Sequence, residues 1–260
     1  MLTAILMTTA AGLSTGLGGL AALLSRRPTN RLLCFSQGFA GGVMLTVSLS
    51  DMLPHAVEGY RAVMGRPRAV GAAVSLFFLG MIVALLLQGC LPEPKPEKLA
   101  LAGADRNAGQ LLRAARSAII TTAVILLHNL PEGILTLFTG YANPEFGLTL
   151  TLAIALHNIP EGIAVSIPVC YATGSRWKGI ALSLLSGLAE PVGALAAFFL
   201  FRGVITPLFL NGLVAAIAGI MSFVSISELL PESFAGENRA AAVAGVTLGV
   251  LVMSGGIYLL

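Results

Sequence analysis

His128-Asn129-Leu130-Pro131-Glu132-Gly133 is followed, 29 residues on, by His157-Asn158-Ile159-Pro160-Glu161-Gly162. Each copy of this HNxPEG stretch lies in the middle of a long apolar run. Two of the chain's three histidines and two of its twelve acids are used here, in duplicate. On a helix, residues four apart share a face, and so do residues three apart. Each copy therefore presents an imidazole, a carboxamide and a carboxylate to one side. That is a set of metal ligands inside apolar sequence.

The flanking sequence defines what surrounds the pair. Of 260 residues, 56% are hydrophobic and 10% charged, and the mean hydropathy is +0.89. A soluble domain of this size has no use for so much apolar surface, so the class is a polytopic membrane protein. A bilayer core about 30 Å thick takes roughly 20 helical residues. The sequence predicts eight such segments, at about 3–24, 32–53, 69–91, 117–140, 146–171, 179–201, 204–230 and 240–260. The alternating polarity of a membrane barrel is absent, so the fold is all-α. The whole of 1–260 reads as one transmembrane domain. Cys34, Cys90 and Cys170 are far apart, without the spacing of a disulfide framework or a thiolate zinc site. The first 25 residues carry no charge and Arg26-Arg27 follow, which suits a first span better than a cleaved signal peptide.

Most Lys and Arg fall in the odd-numbered connections, which places these in the cytoplasm and both termini outside. Arg61, Arg66, Arg68 and Arg202 fall on the other side. The longest connection, about 92–116, is rich in Pro and charge (PEPKPEK) and reads as a mobile cytoplasmic linker. Trp177, between Arg176 and Lys178, reads as an interfacial anchor.

An internal repeat runs beneath this pattern. Gly42 to Pro54 (GVMLTVSLSDMLP) matches Gly219 to Pro231 (GIMSFVSISELLP) at an offset of 177 residues. At nearly the same offset, Gly12, Gly18 and Leu20 of the first span match Gly187, Gly193 and Leu195 of the sixth. Spans 1–3 thus repeat as 6–8 in opposite orientation, with the two motif-bearing spans between them. The expected architecture is a 3+2+3 inverted-repeat bundle, a plan in which transporters hold ligands near the midplane.

Three carboxylates fall near span centres: Glu132, Glu161 and Glu190. An ionised acid at mid-bilayer costs on the order of 2.5–3.5 kcal/mol on insertion scales. No Lys or Arg lies inside any predicted span to offset them. A bound divalent cation supplies the missing charge, and the motif histidines and asparagines supply neutral nitrogen and oxygen ligands. The alternative is a protonated, hydrogen-bonded polar seam between helices, which leaves the duplication unexplained. Pro131, Pro160 and Pro191 free the carbonyls of Leu127, Leu156 and Gly187, so breaks in these helices are expected where they line a polar cavity.

Two HNxPEG motifs in adjacent spans, followed by Gly187-Leu188-Ala189-Glu190-Pro191, resemble the ZIP family of divalent metal transporters, most closely its bacterial ZupT branch. The resemblance covers essentially the whole chain. It implies a binuclear metal centre bridged by Glu132 and Glu161. One metal would also use His157 and His128. The other would be held by Asn129, Glu132, Asn158, Glu161 and Glu190. It also implies alternating access, with spans 1, 4, 5 and 6 moving against 2, 3, 7 and 8. Two departures are visible: the 92–116 connection has no histidine, and Asn158 stands where some relatives have Asp.

Asp51 and His55, ending span 2 on the outer face, and Glu228 and Glu232, ending span 7 on the inner one, are candidate stations for ions arriving and leaving. They also read as ordinary solvated helix-end charges. Met44 is a candidate site neighbour, although a core role is the simpler reading for a methionine. No nucleotide-binding lysine motif is present, so transport would be driven by ion gradients or membrane potential. The expected activity is uptake of Zn²⁺, and of Fe²⁺, Mn²⁺ or Co²⁺, across the bacterial inner membrane. These ions are substrates, and no cofactor is implied. The expected partners are the ions and the lipid bilayer, with no nucleic acid and a homodimer left open. The competing class is an intramembrane metalloenzyme. A site-2-type protease needs HExxH, whereas Asn129 and Asn158 follow the histidines here. A di-iron bundle needs Glu-x-x-His, the reverse of the order found.

Overall fold

The computed structural model describes residues 1–24, 28–90, 108–201, 206–235 and 238–259. The described residues form helices and no strand. Eight helices are long and apolar enough to cross a membrane. They are α1 (Leu2–Leu23), α2 (Asn30–Met64), α3 (Arg66–Cys90), α4 (Ala108–Ala142), α5 (Pro144–Thr173), α6 (Arg176–Phe201), α7 (Pro207–Ala235) and α8 (Arg239–Leu259). Most of the expected 92–116 linker lies outside the described residues, and its last turns belong to α4.

Local chemistry sets the ends. Thr29, Asn143 and Thr206 cap α2, α5 and α7 by accepting the backbone N–H of Leu32, Phe146 and Phe209. Gly174 ends α5 in the left-handed region (φ 67°). Gly65, at φ 75°, turns α2 directly into α3. α2 therefore runs about three turns past the expected limit near residue 53. Asp51 and His55 consequently lie within a continuous helix and not at its end.

The bundle is interleaved. α2 packs along α8 and α7 along α3, while α1 lies against α5 and α6, and α4 against α5 and α6. Glycine contacts make these approaches close. A Cβ on Gly18 would overlap the carbonyl oxygen of Ile159, and one on Gly193 would press on that of Leu130. These two contacts join α1 to α5 and α6 to α4, at positions related by the repeat. α3 and α8 are the least buried helices and turn Phe78, Leu79, Ile82, Leu86, Leu248 and Leu251 outward, as lipid-facing helices do.

Ser48–Met52 in α2 and Ser225–Leu229 in α7 are π-helical turns, 177 residues apart. In each, the N–H five residues on bonds the carbonyl of the first serine, Leu53 to Ser48 and Leu230 to Ser225. In each, the serine hydroxyl donates to the carbonyl four residues back, that of Met44 or of Met221. The wide turn takes up the register change ahead of Pro54 and Pro231, which have no N–H to give. Asp51 and Glu228 are carried on these turns.

The breaks expected at Pro131, Pro160 and Pro191 do not form: α4, α5 and α6 continue as helices through all three. Each proline removes one backbone bond, and packing on both sides holds the helix course across the gap.

Candidate metal centre

The HNxPEG stretches lie side by side at the middle of the bundle, on α4 and α5. His128, Asn129, Glu132, Asn158, Glu161 and Glu190 are fully buried, and His157 is 3% exposed. The two copies pair crosswise. His128 Nε2 is 3.0 Å from Glu161 Oε1, and His157 Nε2 is 3.3 Å from Glu132 Oε1. Ligand atoms of His128, Glu132 and Glu161 all lie within 4.8 Å of one another, a spacing that one cation can span.

The asparagines are positioned from their amide ends. Asn129 Nδ2 donates to the carbonyl of Ser186 on α6, and Asn158 Nδ2 to that of Ala11 on α1, each at 3.0 Å. Asn158 Nδ2 also donates to Glu190 Oε1 at 2.5 Å, which ties the third carboxylate to the pair. These bonds occupy the amide nitrogens and leave the amide oxygens without a partner. Asn129 Oδ1, Asn158 Oδ1, and the Oε2 atoms of Glu132, Glu161 and Glu190 are buried with no hydrogen-bond donor among the described residues. Buried acceptors without donors are costly and uncommon. No Lys or Arg of the described residues pairs with the three carboxylates. Oxygen acceptors, two imidazoles and excess negative charge together offer the ligand chemistry that a divalent cation takes.

The motif glycines allow this convergence. A Cβ on Gly133 would overlap the backbone of Glu190, and one on Gly162 that of Thr15. Each glycine therefore brings a neighbouring helix to within backbone contact, at the residue that follows its glutamate.

A cavity of about 300 Å³ leads to one edge of the cluster, with Glu132 and His157 at its inner end. Asp51 and His55 line it further out, together with Asn211, Thr139 and Thr149. The His55 ring stacks on Phe146 with centroids 6.1 Å apart. Thus Asp51 and His55 share the cavity with part of the site. Glu228 and Glu232 lie towards the opposite end of the bundle and line no part of the cavity. Glu228 there accepts a hydrogen bond from Gln88. Met44 is fully buried in the main apolar core. Asn211, Thr139 and Thr149 escape sequence reading, because single polar residues near helix ends carry no periodic signal.

The sequence profile of the ZIP zinc transporter family matches residues 92–255. The chain belongs to this family. It is 39% identical over 257 residues to the zinc transporter ZupT of Chlorobium chlorochromatii, covering 98% of this chain and 96% of that one. The zinc transporter ZupT of Akkermansia muciniphila is 40% identical over 260 residues, covering 98% and 96%. That of Corynebacterium glutamicum is 39% identical over 260 residues, covering 98% and 97%. The ZIP family is one of transporters, so the chain is a multi-pass membrane transporter and the metalloenzyme reading is set aside.

Proposed function

We propose that this chain takes up divalent cations, Zn²⁺ first with Fe²⁺, Mn²⁺ and Co²⁺ as further substrates, by alternating access through the cluster on α4, α5 and α6. The observation that carries this reading is the set of buried oxygen acceptors without donors, clustered with two imidazoles and no lysine or arginine. A divalent ion satisfies both the acceptors and the charge.

Crosswise pairing supports a binuclear arrangement bridged by Glu132 and Glu161, since each carboxylate faces the other motif's histidine. His128 and His157 would complete one metal's shell. Asn129, Asn158 and Glu190 would complete the other's. The cavity favours a state open to the side of the α2–α3, α4–α5 and α6–α7 connections. The excess of Lys and Arg in the odd-numbered connections supports that side as the exterior, with both termini on it, where Asp51 and His55 would receive the ion. Glu228 and Glu232 would then meet it on the cytoplasmic side. Residues 1–260 would act as one transport domain in the bacterial inner membrane, with spans 1–3 and 6–8 as inverted repeats. The matched π turns and glycine contacts support that symmetry.

Uptake of radiolabelled zinc into proteoliposomes tests the proposal. Glu161→Ala and His157→Ala proteins, reconstituted at equal amounts, are expected to show background uptake only. Undiminished uptake by both removes the cluster from the transport path.

A further inference from the structure

The cavity and the opposite half of the bundle are related by the repeat, and this relation points to residues that neither the motifs nor the family pattern singles out. Shifting by 29 residues from α5 to α4 carries the cavity-lining Phe146 and Leu150 to Ser117 and Thr121. Shifting by 177 residues from α7 to α2 carries the cavity-lining Val214 to Gln37. Three residues around an open space thus have counterparts that are closed together. Gln37, Ser117 and Thr121 are 0%, 2% and 0% exposed, and Gln37 Nε2 donates to Ser117 Oγ at 3.1 Å.

Thr121 and Ser117 lie seven and eleven residues before His128, so all three share one stripe of α4. The stripe runs from the metal cluster towards the end away from the cavity. Past the seam, Leu33, Ala114 and Ile167 close into an apolar cluster. Gln37 Oε1 and Thr121 Oγ1 are buried with no hydrogen-bond partner among the described residues. A seam meant only to seal would be apolar, since unpaired buried polar atoms cost free energy. Such atoms are satisfied once water or a hydrated cation enters.

We infer that Gln37, Ser117 and Thr121 form the inner gate, a polar seam that parts to let the cation leave the cluster away from the cavity. The inference rests on the transport reading. The Gln37–Ser117 bond joins α2 to α4, so α4 cannot shift along α2 without breaking it. Once parted, the amide and hydroxyl oxygens offer a divalent ion weak neutral contacts, suited to passage and not to retention. The counterpart residues on the cavity side are apolar and offer none, which gives the route unlike ends.

The test uses the full chain in liposomes with zinc as the only added substrate. Gln37→Leu, and separately Ser117→Ala with Thr121→Val, keep the seam filled and remove its polar atoms. Both are expected to keep the zinc-induced rise in Tm and to unfold no lower than the parent. Their maximal uptake rate is expected to fall about tenfold with little change in KM. Parental uptake rates in both variants overturn the inference.

Should these variants misfold, Ser117→Cys in a chain with Cys34, Cys90 and Cys170 replaced by alanine gives a second reading. A water-soluble maleimide applied at the face opposite the cavity is expected to react slowly without zinc and faster during zinc uptake. Equal rates with and without zinc, or reaction only from the cavity face, overturn it. A parent protein that moves no zinc sinks the transport reading and this inference together. A transporting parent whose variants match it sinks the inference alone.

Discussion

Glu132 carries, at the scale of one residue, the argument for the proposed cation site. Its Oε1 faces His157 and its Oε2 has no donor, at full burial. Glu132→Gln keeps the shape and removes the charge. Without metal, the variant is expected to unfold no lower than the parent, because the amide oxygen can still accept a hydrogen bond from His157 and no Lys or Arg is left unpaired. With zinc, the parent gains about 2.7 kcal/mol at a hundredfold excess over Kd, and the variant is expected to lose most of that gain. Thermal unfolding with zinc and with chelator measures both. Asn158→Asp acts in the other direction. It replaces an amide held by the Ala11 carbonyl and Glu190 with a fourth carboxylate. Zinc is expected to bind about tenfold more tightly and leave more slowly, seen as lower Kd and lower maximal uptake. The seven cluster residues were all legible in the sequence, because polar and charged side chains duplicated within apolar runs are costly to bury unless they hold a ligand. Their crosswise pairing was not, since spacing along one helix says nothing of which neighbour it faces.

Helices were legible to the extent that membrane thickness dictates them. All eight spans follow from apolar length, but α2 continues past Asp51 and α4 starts nine residues before the expected 117. Charges such as Glu58, Arg61, Arg113 and Arg116 end an apolar run without ending a helix, so hydropathy marks the membrane and not the element. The π turns were hidden for a related reason: a wide turn answers to backbone register, which composition does not record. Glycines divide in the same way, and two substitutions separate them. At Gly18 an added methyl meets the Ile159 carbonyl, so Gly18→Ala is expected to destabilise by about 1–3 kcal/mol. Gly71 in α3 is exposed with nothing near its missing Cβ, so Gly71→Ala is expected to stabilise by up to about 1 kcal/mol through helix propensity. Thermal unfolding in detergent compares the two, and a similar loss in both would mean that close α1–α5 packing is not what Gly18 provides.

For the molecule as a whole, under the proposed transport reading, the arrangement separates how tightly a cation is held from how it arrives. The cluster is closed by α1 and α6 behind the motif glycines, whereas the cavity lies between α4 and α5 on one side and α2, α7 and α8 on the other. A residue in the cavity but outside the cluster should therefore control rate without controlling affinity. Ala153 lines the cavity one turn before His157 and has a small side chain. Ala153→Trp would place an indole across the approach to Glu132 and His157 without replacing a cluster residue. Initial zinc uptake in proteoliposomes is expected to fall by at least about tenfold. The zinc-induced rise in Tm after long incubation is expected to stay near the parental value, because a plug slows equilibration without changing its end point. The cluster substitutions have the opposite signature, with uptake and zinc stabilisation lost together. Loss of both in Ala153→Trp would join the cavity wall to the site itself. Parental uptake would mean that the cation reaches the cluster by a different route.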